Sequence, residues 1–486
     1  MFLFLSSSNI YYLRKIKITY YNNLSNQSFY SLNTPLFGTD GIRGKAGDLL
    51  TAAFAVQLGF WAGQVLKSEN TVPGPIIIGQ DSRNSSDMLA MSIASGLTST
   101  GIDVWYLGLC PTPCVAHITD ISEAIGGIMI SASHNPPEDN GIKFFNAQGI
   151  KLSTAISQKI EEGLRGELPL SISQENSWGK ILHKDNLIND YYDFLKRNLH
   201  PSFNCRGMRI VLDLAWGASV NIAPNIFNQL EATVFSLNGE PKGDLINVNC
   251  GSTNLKLLQQ AVKKYKADLG FAFDGDADRV MAVDNTGKII DGDFILFLWG
   301  KYLMQKGELP NNLLVTTVMA NLGFEKAWEK LGGTLIRTPV GDRHVQAKML
   351  ESGAKLGGEQ SGHIICHNYG MSGDGIQTSL QICSLLQQSE TSLSKLVENS
   401  FKAYPQILYN IRFKNRNSLS HWKDCTALQE GIQIAEQAMK YNGRLLVRAS
   451  GTEPLLRIMI ESECFDTAQY WTNYLIAIVE KHLDVI

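Results

Sequence analysis

Gly126-Gly-Ile-Met-Ile-Ser-Ala-Ser-His-Asn-Pro-Pro-Glu-Asp-Asn-Gly-Ile-Lys143 decides how this chain is read. Its first five residues form an apolar run of the length of a short buried strand. The run stops in a polar turn that carries a hydroxyl (Ser133), an imidazole (His134) and an amide (Asn135). Beyond Pro136, Pro137 and Gly141 it adds the ammonium of Lys143. Pro136 fixes its own backbone and steers Asn135 away from the helical region, so the turn is expected to be stiff, with its side chains held outward. A serine on such a turn, beside cationic and amide donors, can attack a phosphoryl group or carry one. The competing reading is a surface loop whose Ser and Asn satisfy turn hydrogen bonds.

Outward from this strand, elements alternate. Thr51–Ser68 has helical apolar spacing (Phe54, Leu58, Val65) behind a threonine cap. Pro75–Gly79 reads as a strand, Ser86–Thr100 as a helix and Asp103–Gly108 as a strand. A second round runs from Arg209–Leu214 (strand) through Ser219–Leu230 (helix), Ala232–Leu237 (strand) and Asn254–Tyr265 (helix) to Leu269–Phe273 (strand). A third takes Phe294–Gln305, Phe324–Leu331, Arg343–Ser352 and Gly375–Gln388 as helices, with Leu313–Val318 and Thr334–Thr338 as strands. Such alternation predicts an α/β fold of three tandem, similar mixed-sheet domains. The last block differs: strand Ile407–Phe413, helix Trp422–Lys440, strands Leu445–Val447 and Leu456–Glu461, helix Asp466–Leu483. That pattern is a two-layer α+β domain, expected to close as a lid over a central cleft. The expected divisions are 36–186 with the serine loop, 187–288, 289–400 and 401–486, after a disordered extension over 1–35.

With 486 residues the chain exceeds a single core, and its hydrophobic share of 44% is that of an ordinary globular protein. A net charge of -3 without a Lys/Arg block gives no footprint for nucleic acid. No apolar run approaches the ~18 residues of a membrane helix, so no membrane is expected. The eight cysteines form no CxxC pair and are read as reduced and buried, which places the protein in the cytoplasm. Met1–Leu36 holds no Asp or Glu; its composition is shared with transit peptides, but the simpler reading is a tail.

Four further clusters carry chemistry. In Leu36-Phe-Gly-Thr-Asp-Gly-Ile-Arg-Gly44, glycines make a tight turn that can bring Arg43 to another loop. In Phe273-Asp-Gly-Asp-Ala-Asp-Arg279, alternation in an extended loop would point Asp274, Asp276 and Asp278 to one side. Three carboxylates so crowded need a divalent cation, and oxygen-only ligation suits Mg2+. The loop lacks the glycine position and closing glutamate of an EF-hand. Gly357-Gly-Glu-Gln-Ser-Gly-His363 repeats the alternation, so Glu359, Ser361 and His363 would share a face able to bracket sugar hydroxyls; an ordinary turn is the alternative. Arg448-Ala-Ser-Gly-Thr-Glu-Pro-Leu-Leu-Arg457 supplies guanidiniums, hydroxyls and turn N–H groups, the parts of a phosphate cradle. Arg337 and Arg343 are read as bracing a hinge.

These five motifs, in this order from Leu36 to the C-terminus, resemble the α-D-phosphohexomutase superfamily, and within it the bacterial branch acting on glucosamine phosphates. The resemblance implies an isomerase that interconverts glucosamine 6-phosphate and glucosamine 1-phosphate through a phosphoserine; phosphoglucomutase or phosphomannomutase activity is the alternative. It implies phosphorylated Ser133, one Mg2+ held by Ser133, Asp274, Asp276 and Asp278, and proton transfer assisted by Arg43 and Lys143, beside His134. Arg279, Glu359, Ser361 and His363 would bind the sugar, and Arg448, Ser450, Gly451, Thr452 and Arg457 its phosphate. It further implies glucosamine 1,6-bisphosphate as intermediate, a homodimer, and priming by a kinase or by autophosphorylation. Asp213-Leu-Ala-Trp-Gly217 departs from the family pattern, in which an Asn or Cys is expected near the glycine.

Overall fold

Eighteen strands fall into four sheets in the computed structural model, which describes residues 35–169, 178–450 and 454–486. Apart from Pro35, the extension expected to be disordered lies outside the described residues. The chain divides into two compact units. One runs to Tyr191 and includes Lys242–Ile246; the other takes Tyr192–Pro241 and Asn247–Ile486.

The first unit holds β1 (Ile42–Lys45), β2 (Ile76–Gln80), β3 (Val104–Leu109), β4 (Gly126–Ile130), β5 (Asp139–Asn146) and β6 (Ile181–His183), ordered β1-β5-β4-β2-β3-β6. β2, β3, β4 and β6 run parallel, and β5 turns back antiparallel against β4 and β1. β2 and β4 are buried at every residue, as expected of parallel strands covered on both faces. The helix Ala52–Glu69 starts where the Thr51 hydroxyl accepts from Phe54 N.

The second unit repeats the plan. β7 (Arg209–Asp213), β8 (Thr233–Leu237), β9 (Leu269–Phe273), β10 (Val280–Asp284) and β11 (Ile289–Ile290) are ordered β11-β10-β9-β7-β8. β12 (Leu313–Thr317), β13 (Thr334–Thr338), β14 (Leu356–Gly358) and β15 (Ile364–Cys366) are ordered β13-β12-β14-β15. Setting the edge strand β1 aside, each of these three sheets has a central strand (β2, β7, β12), the next two strands flank it in parallel, and the following one folds back antiparallel on the second of these. The sheets are thus three mixed α/β copies of one topology. The last sheet, β16 (Gln406–Arg412), β17 (Gly443–Ala449) and β18 (Leu455–Ser462), is antiparallel in the order β16-β18-β17 and packs on two long helices, Thr426–Met439 and Phe465–His482.

Two expectations change. Trp422–Lys440 is not one helix: His421–Asp424 is a 3₁₀ turn, and extended backbone at Cys425 separates it from Thr426–Met439. The cysteines are free, but not all are buried, since Cys464 is exposed and Cys425 only partly covered.

Candidate active site

Four of the five chemical motifs sit between paired antiparallel strands, and the fifth, Leu36–Gly44, runs into β1. The Ser133 turn joins β4 to β5, the Asp274–Arg279 turn joins β9 to β10, the Glu359–His363 turn joins β14 to β15, and the Arg448–Arg457 segment joins β17 to β18. In the three α/β sheets the turn therefore leaves the C-terminal end of a parallel strand beside the central one, where ligands bind in open α/β sheets.

Ser133 has a left-handed backbone (φ 54°), uncommon for a residue with a side chain. Contrary to the outward presentation expected from Pro136, the serine is 1% exposed. Arg83 explains why: its guanidinium donates to the carbonyls of Ser133 (3.1 Å), Asn135 (2.8 Å), Asp139 (2.8 Å) and Pro136, drawing the turn inward. Ser133 N donates to Ser131 Oγ at 2.9 Å, and Ser133 Oγ lies 3.3 Å from His134 Nδ1. Antiparallel pairing of β1 with β5 sets Arg43 opposite Gly141, and Arg43 Nη1 reaches Asn135 Oδ1 at 3.3 Å. Asp40 gathers three cations: it pairs with Arg43 and Lys151, and Lys143 Nζ stands 3.7 Å away, 1% exposed. The surroundings suit a phosphoryl dianion, because charge-assisted donors are stronger than neutral ones.

In the second unit, Asp274, Asp276 and Asp278 are buried, with ligand oxygens within 4.8 Å of one another. The loop is not extended as expected; it is a turn with Ala277 left-handed (φ 55°), and this curvature rather than alternation gathers the carboxylates. Three buried like charges are costly without a cation, and a hard, oxygen-only donor set fits Mg2+. Arg279 Nε lies 3.9 Å from both Asp274 and Asp278. Backbone bonds fix the turn from both sides: Ala218 N donates to Gly275 O (2.8 Å), Val280 N to Gly362 O and Gly375 N to Ala277 O (both 3.0 Å). Asp213 anchors the first of these, accepting from Ala215 N, Gly251 N and Asn238 Nδ2, and burial raises its pKa. The departing Ala215 and Trp216 both adopt positive φ.

Glu359, Ser361 and His363 do not line one face of an extended strand. A tight turn (Gly362 N to Glu359 O, 2.9 Å) buries Glu359 and His363 and exposes Ser361. Glu359 Oε1 accepts from Gly341 N at 3.0 Å; His363 stands 3.6 Å from Asp278 and 3.5 Å from Asp342, linking this hairpin to the aspartate turn. On the last sheet Arg448 and Arg457 are directly opposite across β17 and β18. Burial, then the neighbouring Arg457, lowers the Arg448 pKa, and Arg457 Nε is buried without a hydrogen-bond partner. Two guanidiniums so placed repel until an anion sits between them. Ser450 N donates to Leu455 O at 2.8 Å; Gly451 and Thr452 lie outside the described residues.

Asp40 as hub, Lys151 and Arg83 were not singled out as site residues from sequence. Asp81-Ser-Arg83, polar residues directly after a buried strand, was the available signal.

Comparison with known proteins covers almost the whole chain. Family models described as phosphoglucomutase/phosphomannomutase match in four parts: alpha/beta/alpha domain I over residues 34–169, domain II over 189–287, domain III over 291–404 and the C-terminal domain over 408–469. The phosphoglucosamine mutase of Crocosphaera subtropica is 65% identical over 95% of this chain and 96% of its own length. That of Synechocystis is 59% identical over 93% and 94%. Among solved structures, a phosphoglucomutase/phosphomannomutase family protein from Burkholderia thailandensis has a TM-score of 0.79 at 22% identity, over 92% of this chain and 99% of that one. Aspergillus fumigatus N-acetylphosphoglucosamine mutase, in complex with GlcNAc-6P and magnesium, has a TM-score of 0.67 at 18% identity, over 96% and 99%. At these identities the two structures speak to the fold.

Proposed function

The chain belongs to the phosphoglucomutase/phosphomannomutase family of the α-D-phosphohexomutase superfamily, and we infer from its likeness to the phosphoglucosamine mutases that it is an isomerase interconverting glucosamine 6-phosphate and glucosamine 1-phosphate. The observation that carries this reading is the match to these mutases over nearly the full length of both chains. We assign the serine loop to 36–186, the metal turn to 187–288, the sugar turn to 289–400 and the phosphate cradle to 401–486.

In this reading Ser133 carries the phosphoryl group. The sugar hydroxyl attacks phosphorus, the Ser133 Oγ–P bond breaks as the sugar O–P bond forms, and the hydroxyl proton moves by way of the His134 imidazole to the leaving Ser133 Oγ, with the cations Arg43 and Lys143 assisting the transfer. The product is glucosamine 1,6-bisphosphate. It turns around, and its other phosphoryl group returns to Ser133 Oγ with the reverse proton movement. Asp274, Asp276 and Asp278, together with the phosphoserine, would hold Mg2+. When bound, it offsets charge on the phosphoryl oxygens. Glu359, Ser361, His363 and Arg279 orient the sugar, while Arg448, Ser450, Gly451, Thr452 and Arg457 grip the phosphate that is not reacting. The like-charged pair Arg448 and Arg457 supports that last role. Priming of Ser133 is assigned to a kinase or to the enzyme itself, and the working form to a homodimer.

Coupled assays on each hexose phosphate test the substrate. Glucosamine 1-phosphate is expected to be turned over faster than glucose 1-phosphate; the reverse order would overturn the assignment. Ser133→Ala is expected to lower turnover more than about a thousandfold and to abolish the one-phosphate species in intact-mass spectra. A variant that keeps its turnover would sink the phosphoserine.

A further inference from the structure

We propose that Arg83 is a positioning residue for phosphoryl transfer, holding the Ser133 turn in its left-handed form through a fully occupied guanidinium. The inference rests on the phosphoserine reading above. A guanidinium offers five N–H donors in a rigid plane. Here Nε donates to Asp81 Oδ2 at 2.9 Å, Nη1 to Asp139 O at 2.8 Å and to Pro136 O, and Nη2 to Ser133 O at 3.1 Å and Asn135 O at 2.8 Å. All five are thus engaged, and the side chain is fully buried. Four of the acceptors are main-chain carbonyls of one short turn, the turn that bears Ser133.

The anchor of the clamp is itself fixed. Asp81 Oδ1 accepts from Arg83 N (3.0 Å) and Ser86 Oγ (2.9 Å), and Asp81 N donates to Ile130 O (3.0 Å) at the end of β4. Asn140, next to the turn, donates to the hydroxyls of Ser85 (2.8 Å) and Ser86 (3.2 Å). From outside, Lys242–Ile246 packs on the same segment: a Cβ on Gly243 would stand 2.4 Å from Asn84 N and 2.5 Å from Ser82 O. Each end of the clamp is therefore pinned, one to the sheet and one to the serine turn.

The clamp has two consequences. A left-handed backbone at a non-glycine residue is strained and persists only when its surroundings hold it; four bonds from one plane do so at Ser133. Carbonyl oxygens also repel a phosphoserine dianion, and a cation that occupies four of them lowers that repulsion. A lysine has three donors around one point and cannot satisfy four carbonyls and a carboxylate in a plane.

Arg83→Lys is expected to fold, to bind sugar phosphate with nearly unchanged KM, and to lose about a hundredfold in kcat, the usual penalty for misplacing a reacting group by an ångström. The phosphorus NMR resonance of its phosphoserine is expected to shift and broaden. Asp81→Asn, which weakens the anchor, is expected to lose less kcat with the same unchanged KM, and gives the answer if Arg83→Lys does not fold. Wild-type kcat and resonance in both variants, or losses in kcat that only track a falling unfolding midpoint, would overturn the proposal. Wild-type and Ser133→Ala enzymes run alongside separate its failure from that of the phosphoserine itself: equal turnover in those two would indict the serine, not the clamp.

Discussion

Asp293 shows how one residue sets a pH dependence. It is fully buried on the helix Gly292–Gln305, where its Oδ2 accepts from Asn321 N at 2.8 Å. Burial first, and the Asp291 carboxylate second, push its pKa well above the usual carboxylate range. A carboxyl group raised on folding stabilises when protonated, and that contribution is lost as pH climbs through the folded-state pKa. Asp293→Asn keeps an acceptor for Asn321 without the charge. It is therefore expected to raise the urea midpoint at neutral and alkaline pH, with the gain shrinking on acidification toward pH ~4. A gain that is constant across pH would contradict a titrating origin. This residue was not legible in the sequence, because nothing in Asp291-Gly-Asp293 says that both carboxylates leave water. Ser133 and the three aspartates were legible as chemistry, since their types and spacing need no tertiary information. Their geometry was not: the inward pull on Ser133 comes from Arg83, fifty residues away in sequence.

At the scale of elements, the recurring unit is a buried parallel strand, a functional turn and an antiparallel return. The outgoing strands β4 and β9 were readable from continuous apolar runs, as were the central strands. The returning strands were not. β5 interrupts its apolar pattern with buried Asn140 and Lys143, and β15, like the outgoing β14 before it, is only three residues long. Alternation in the aspartate and Glu359 motifs suggested extended loops, whereas Ala277 and Gly362 turn them by positive φ. Gly362 joins two of these units, because its carbonyl accepts from Val280 N beside the aspartate turn. A Cβ there would stand 2.2 Å from Val280 O, at a φ of 90°. Gly362→Ala is expected to cost about 1–3 kcal/mol of local strain and to weaken Mg2+ binding, read by titration calorimetry, while the protein still folds. Unchanged Mg2+ affinity would show that the two hairpins are not coupled.

At the scale of the molecule, the loop Val318–Asn321 ties the last sheet to the preceding one, and beside it Lys326 donates to Tyr441 O. Arg444 donates to Val318 O (2.8 Å) and Ala320 O (2.6 Å) and pairs with Glu461; Gln406 bridges Met319 O (3.4 Å) and Glu461 (3.2 Å). Arg337, read from sequence as a hinge brace, grips the same loop at Ala320 O (2.7 Å). Burial raises the Glu461 pKa and lowers that of Arg444, so desolvation outweighs their attraction. Removing one partner of such a pair costs about 3–5 kcal/mol. Arg444→Met is expected to expose the 400–405 connection to proteolysis and raise KM, and Glu461→Met added to it to restore much of the loss. Equal damage in the single and double variants would contradict a buried pair as the tie. Among the described residues no helix is long and apolar enough to cross a membrane.

The central claim is that one phosphoryl group passes between Ser133 and the sugar. Rapid-quench of stoichiometric phosphorylated enzyme with glucosamine 6-phosphate, followed by intact mass and sugar analysis, measures that passage. The account predicts that phosphate leaves Ser133 and appears as bisphosphate before any isomer forms. Isomer formed while Ser133 stays phosphorylated, or phosphate released to water instead of sugar, would contradict it.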